Sequence, residues 1–259
     1  MCYNQYYVAR LRNIDMAKRK EQLANGEIYH VLLRGVDGKT IFNDEQDYYR
    51  AIHDIFEFND EALTVWQHRH SLINKDNKST DKLDKSDIVK IEKEKKPRKL
   101  LVEVLAFCLM PNHIHLLLRQ VKDRGITKFM GKFGTGYAVY FNNKNQRSGH
   151  LFQGRFKAIL IKTNSQLQKI FVYIHTNPAS LVDSQWKKGG IKDPNKIIDQ
   201  IENYKWGSYS DYLGKKNFPS LTQRDFLNQV MTKEEWQKFV NQWVEFKDDK
   251  WYWEDVDLE

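Results

Sequence analysis

The sequence has little cysteine: two residues in 259, Cys2 and Cys108. That rules out a disulfide framework, and Cys108, inside an apolar run, reads as a core residue. There is no long apolar stretch, which excludes a helical membrane span. The start of the chain lacks the basic, apolar and small-residue order of a signal peptide. No glycine-rich phosphate-binding motif and no internal repeat is present. Together these absences point to a protein of the reducing cytoplasm that needs neither a membrane nor ATP.

What is present is charge and a core. Apolar residues make up 41% of the chain and aromatic residues 13%, so a large hydrophobic interior can form. The net charge of +8 favours a polyanionic partner, nucleic acid before an acidic membrane surface. Basic balance is common among ordinary proteins, so motifs must decide.

Residues 1–25 are polar without a clear period and read as a leader or a short capping helix. The run Ile28-Tyr29-His30-Val31-Leu32-Leu33 is β-branched and aromatic and stops at Arg34-Gly35, a strand and a loop. Asn43-Asp44-Glu45 offers a helix start, with Tyr48, Tyr49, Ile52, Ile55 and Phe56 at helical spacing. Residues 71–100 hold ten Lys/Arg, six Asp/Glu and no aromatic. Such a segment cannot offset its ordering entropy by burial. It reads as a mobile, net-positive insertion, or alternatively as a charged helical hairpin.

Strand patterning resumes with Leu101 to Cys108, a tight turn at Pro111-Asn112, and His113 to Leu118, which is a hairpin signal. Ile126 to Phe141 reads as a helix that Gly131, Gly134 and Gly136 weaken. After a polar loop, Phe156 to Ile161 is a strand. Asn164 or Ser165 then caps a helix through Leu167, Ile170, Phe171 and Ile174, and Asn177-Pro178 ends it. The expected fold is α+β: a ferredoxin-like split βαβ core, an antiparallel sheet with helices on one face, followed by a further helix. Residues 26–178 form this core, with the insertion inside it. Residues 179–259, rich in tryptophan (Trp186, Trp206, Trp236, Trp243, Trp251, Trp253), are expected to add C-terminal helices packed on the core, with an acidic end from Asp248.

Two patterns carry chemistry. In His113-Ile114-His115 the alternation of a strand sends both imidazoles to one face, with Cα atoms roughly 6.5–7 Å apart, close enough to converge on one ion. The plainer alternative is two polar residues on a solvated face. Tyr173 and Asn177 stand four apart on a helix and share a face. Their plainer readings are a core aromatic beside Ile170 and Ile174, and a helix stop before Pro178.

These residues lie in longer blocks. Met110-Pro111-Asn112-His113-Ile114-His115-Leu116-Leu117-Leu118 resembles the histidine–hydrophobic–histidine motif of the single-tyrosine HUH transposases. Ser148-Gly149-His150-Leu151-Phe152-Gln153-Gly154-Arg155-Phe156-Lys157 resembles a second block of that family. Tyr173-Ile174-His175-Thr176-Asn177-Pro178 resembles a third, and Tyr204-Lys205-Trp206-Gly207-Ser208-Tyr209 a fourth. The opening Tyr29-His30-Val31 with Arg34-Gly35 also fits. The subgroup most similar is the REP-associated tyrosine transposases, and the resemblance spans about residues 26–214, interrupted by the insertion.

The resemblance implies that His113 and His115 bind a divalent metal, Mg²⁺ or Mn²⁺, with Asn177 as a third, oxygen-bearing ligand. It implies Tyr173 as the nucleophile that forms a 5′-phosphotyrosine link, and single-stranded DNA with palindromic hairpins as the substrate, handled by a monomer or a homodimer. Arg34, Lys144, Arg147, Arg155 and Lys157 are candidate phosphate contacts, and His150 and Phe152 candidate base-stacking groups. Each could equally be solvated or packed. Tyr137 and Tyr140 are rival nucleophiles without a matching amide at i+4, and His175, about 200° from Tyr173 around the helix, reads as non-catalytic. The chain departs from the family in the length of the 71–100 insertion and in lacking an arginine at Ala179-Ser180-Leu181-Val182. The rival functions are a domesticated, non-cleaving binder of palindromic DNA, a replication initiator or relaxase, and a plain metal-binding protein.

Overall fold

A computed structural model describes residues 22–62, 98–183, 186 and 193–245. Most of the leader, the insertion up to residue 97, Trp251, Trp253 and the acidic end lie outside the described residues.

Four strands, β1 (Ile28–Arg34), β2 (Val102–Met110), β3 (His113–Gln120) and β4 (Lys157–Ile161), form one sheet in the order β2-β3-β1-β4. Every neighbouring pair is antiparallel. Strands β1 and β2 are therefore parallel but separated by β3, and β3 and β4 by β1. This is the split βαβ arrangement expected from the sequence. Helix α1 (Glu45–Glu57) makes the first crossover and α2 (Gly125–Lys144) the second. Right-handed crossovers put both on one face of the sheet, and the two helices contact each other there.

Helix α1 starts where Asp44 accepts a hydrogen bond from the Asp47 backbone N–H at 3.1 Å, a side-chain N-cap. Helix α2 runs unbroken through its three glycines. At Gly136 an added Cβ would come within 2.5 Å of the Phe58 ring, so this glycine lets the end of α1 approach α2; Gly131 and Gly134 meet open space. Burial of Ile126, Phe129, Phe133 and Tyr137 offsets the weak propensity of the glycines. Gly35, just past β1, is required sterically: a Cβ there would stand 2.3 Å from the Lys39 carbonyl oxygen.

The hairpin turn at Pro111-Asn112 is two residues long, with Met110 opposite His113. Its carbonyls accept from Ile41 N–H (2.8 Å) and Gly35 N–H (2.8 Å), which pins the turn against the loop after β1.

After β4 the chain enters α3 (Asn164–Thr176). The cap is Thr163, one residue before the two expected, because its hydroxyl accepts from Gln166 N–H at 3.1 Å. Asn177-Pro178 closes the α-helix but does not stop the turn: a 3-10 helix, Asn177–Leu181, follows, since proline is tolerated in a first helical turn. Helix α3 lies on the other face of the sheet from α1 and α2, so the sheet is covered on both sides.

The remaining helices are α4 (Pro194–Glu202), α5 (Tyr209–Tyr212), α6 (Asp225–Val230) and α7 (Lys233–Glu245). The Trp236 ring of α7 stacks on Phe171 of α3 at 3.9 Å. The Tyr204–Tyr209 block closes the free edge of β2. Leu109 N–H donates to the Trp206 carbonyl (2.8 Å) and Ser208 N–H to that of Phe107 (3.0 Å). Tyr204 donates its hydroxyl to the Leu109 carbonyl at 2.6 Å. An exposed edge that would template foreign strands is thereby paired. Among the described residues no helix is long and apolar enough to cross a membrane.

Candidate active site

Register decides which side chains share a face. Arg34 is opposite His113; Leu32 is opposite both His115 and Lys157; His30 is opposite Leu117 and Ile159. Side chains opposite one another project to the same side. One face of the sheet thus carries His30, Arg34, His113, His115 and Lys157. The other carries Tyr29, Val31, Leu33, Ile114, Leu116 and Leu118, all buried. As expected from strand alternation, the two histidines point together and Ile114 points away.

Helix α3 crosses the histidine face. The Tyr173 ring meets the His115 ring edge-on, with centroids 5.2 Å apart, and the His30 ring at 5.8 Å. His113 and His115 stand with ring centroids 4.7 Å apart at 89°. His115 and Tyr173 are buried, whereas His113, at the end of β3, is partly exposed. The sequence placed Tyr173 and the histidine pair in separate elements; the fold brings them together.

Asn177 is buried one turn beyond Tyr173 and donates its amide N–H to the Tyr173 carbonyl at 2.7 Å. It satisfies one of the carbonyls that a helix end leaves over. With the nitrogen so committed, the side-chain oxygen is the atom available for a ligand.

The ring nitrogens of the two histidines are arranged alike. His113 Nδ1 lies 2.6 Å from the Asn112 side-chain oxygen, and His115 Nδ1 lies 2.9 Å from His30 Nε2. Engagement of Nδ1 in each ring makes Nε2 the nitrogen that a metal would take, the usual division of labour in a metal-binding imidazole. Among the described residues no group of three or more His, Cys, Asp or Glu side chains is placed to hold a metal.

The candidate DNA contacts separate into two groups. Arg34, Arg155 and Lys157 are exposed beside the histidine face, and the Gln153 N–H donates to the Arg34 carbonyl at 2.8 Å, which holds the 151–155 loop against this end of the sheet. His150 is exposed in the same connection. Phe152 is buried, with its ring 6.3 Å from that of Tyr137, so it packs in the core. Lys144 is 2.7 Å from both Asp44 and Asp47. Partial burial opposes its charge, but the two carboxylates outweigh that and raise its pKa. Arg147 donates to the His150 carbonyl at 3.2 Å and lies over the Phe141 ring.

The rival tyrosines are engaged elsewhere. Tyr137 donates its hydroxyl to the Ile41 carbonyl at 2.6 Å, and burial pushes its pKa far up. Tyr140 donates to Asp47 at 3.0 Å. His175 is bonded to the Ser208 hydroxyl at 2.8 Å and packs on Phe171, on the side of α3 away from the histidine pair. Burial lowers its pKa to about 3.

One residue of the cluster, His30, stands in the opening block of the sequence resemblance but carried no role there. Its signal was its parity with Arg34 on β1, but without the β1–β3 register that parity could not be connected to His115.

Residues 54–177 match the model of a family described as "Transposase IS200 like". The matched stretch contains His113, His115, Tyr173 and Asn177. A search of curated proteins finds no match. A solved structure described as the REP-associated tyrosine transposase bound to a REP hairpin is similar over 78% of this chain and 90% of that one, at 13% identity and a TM-score of 0.40. The family match thus covers a little under half of this chain and takes in the histidine pair, the tyrosine and the asparagine of the candidate site.

Proposed function

We propose that this chain is a metal-dependent, single-tyrosine endonuclease and transposase that cuts and rejoins single-stranded DNA at palindromic hairpins. The observation that carries the reading is the edge contact of Tyr173 with His115 on a face that also bears His113, Arg34 and Lys157. The family match over residues 54–177, which include His113, His115, Lys157 and Tyr173, supports it.

In this reading His113, His115 and the Asn177 oxygen hold a divalent ion, Mg²⁺ or Mn²⁺. When bound, the ion withdraws charge from the scissile phosphate and orients it for in-line attack. The Tyr173 oxygen attacks phosphorus, the bond to the 3′ oxygen breaks, and the phenol proton passes to water. The products are a 5′-phosphotyrosine link and a free 3′-hydroxyl. The diester energy is retained, so a 3′-hydroxyl can reverse the step and join new ends. Arg34, Arg155 and Lys157 neutralise the DNA backbone at this end of the sheet. Tyr173 is only 2% exposed, so the ring must turn outward or α3 must shift before DNA can reach it.

The test is covalent attachment. Wild type and Tyr173→Phe are each incubated with labelled single-stranded hairpin DNA from the gene's flanks and Mn²⁺. A denaturant-stable adduct in the wild type only is the expected result. An adduct that persists in the variant moves the nucleophile to another tyrosine. Tight, salt-sensitive binding without any adduct, across a panel of flanking hairpins, would mean a non-cleaving binder of palindromic DNA.

A further inference from the structure

His30 is almost completely buried on β1, on the face of the sheet that carries the histidine pair. It makes two contacts. Its Nε2 lies 2.9 Å from His115 Nδ1, with the rings near-parallel at 13° and centroids 5.1 Å apart. Its ring also meets the face or edge of Tyr173 at 86°. One side chain thus touches both a candidate ligand and the candidate nucleophile.

Two ring nitrogens 2.9 Å apart must share one proton. A neutral imidazole offers one acceptor nitrogen and one N–H. If His30 accepts, His115 carries its proton on Nδ1 and a lone pair on Nε2, the form a metal ligand needs. If His30 donates, the His115 proton is driven to Nε2 and that nitrogen cannot bind an ion. His113 has its own version of the first arrangement. The Asn112 side-chain oxygen can only accept, so the bond at 2.6 Å places the His113 proton on Nδ1. The two histidines would then be oriented by two different outer partners, an amide and an imidazole.

We propose that His30 is a positioning residue that accepts the Nδ1 proton of His115, presents His115 Nε2 to the divalent ion, and braces the Tyr173 ring beside it. This rests on the metal reading above. It goes beyond that reading by giving a role to a residue that touches neither ion nor DNA.

The experiment uses the full chain and Mn²⁺ alone, with no DNA. Calorimetry measures Mn²⁺ affinity of the wild type, His30→Leu and His30→Gln. Leucine fills the space but cannot accept a proton; glutamine can. Loss of an outer partner of a metal-bound histidine typically weakens binding by about 10–100-fold, which is the loss expected for His30→Leu. His30→Gln is expected to recover most of it. Nitrogen-15 NMR of the histidine rings with Mg²⁺ gives the second readout: His115 protonated on Nδ1 in the wild type and in His30→Gln, and no longer held in that form in His30→Leu. Unfolding midpoints of the three proteins separate this effect from a loss of folding. Equal Mn²⁺ affinity in wild type and His30→Leu overturns the assignment while leaving the metal site standing. Recovery absent in a folded His30→Gln also overturns it. A wild type that binds no Mn²⁺ overturns the assignment and the metal reading together.

Discussion

Acid should unfold this protein through two buried imidazoles. His30 and His175 are both buried, and burial lowers the pKa of each from 6.5 to about 3, with the nearby His113 adding to the effect at His30. In the unfolded chain both titrate near 6.5. A depressed folded pKa means that the unfolded state takes up protons first. The stability these groups contribute is fully present above 6.5 and is lost as pH falls from there towards 3. Each unfilled proton site costs about 1.4 kcal/mol per pH unit in that window. At pH 5, about 1.5 units below the unfolded value, each histidine costs about 2 kcal/mol, and the pair about 4 kcal/mol. That is a large part of the roughly 5–15 kcal/mol by which a domain is stable. Urea unfolding at pH 7.5 and at pH 5 measures it directly. His175→Gln retains a hydrogen-bonding group for Ser208 and removes one titrating site, so it should lose about half of the pH dependence attributable to the pair. Stability that is flat between pH 7.5 and 5, or a dependence that His175→Gln leaves intact, would refute the reasoning.

Further outcomes are expected at other positions. Asn59 is buried and bridges α1 to the start of β2, donating to the Val102 carbonyl at 2.9 Å and accepting from Leu101 and Val102 N–H at 3.1 and 3.0 Å. Asn59→Ala should cost about 3 kcal/mol or more in urea unfolding, because three buried backbone groups are left unpaired at about 1–3 kcal/mol each. Arg34→Ala and Lys157→Ala should each reduce the salt slope of DNA binding by about 1. Lys144→Met should leave that slope unchanged, since Lys144 is paired with Asp44 and Asp47; an equal reduction would make it a phosphate contact after all. His113→Ala should weaken Mn²⁺ binding in calorimetry and abolish the DNA adduct without lowering the urea midpoint, because His113 is partly exposed at the end of β3.

The local chemistry was legible in the chain itself. The alternation of His113-Ile114-His115 dictates that both imidazoles leave one side of a strand, whatever that strand pairs with. The four-residue step from Tyr173 to Asn177 puts both on one helix face. The order of apolar runs and turn residues implied the split βαβ core, because short-range periodicity is set by local geometry. Tertiary structure decided what those local faces meet. Only the β1–β3 register brought His30 to His115, and that register depends on pairing between strands some 85 residues apart in sequence. Only packing showed that Gly136 serves the approach of Phe58 to α2, that Phe152 belongs to the core, and that Lys144 answers Asp44, the cap of α1, and Asp47 in its first turn. Burial and ion pairing are properties of neighbours distant in sequence. A residue's own identity and spacing could name it as a candidate, but the folded chain determined which candidates share a site.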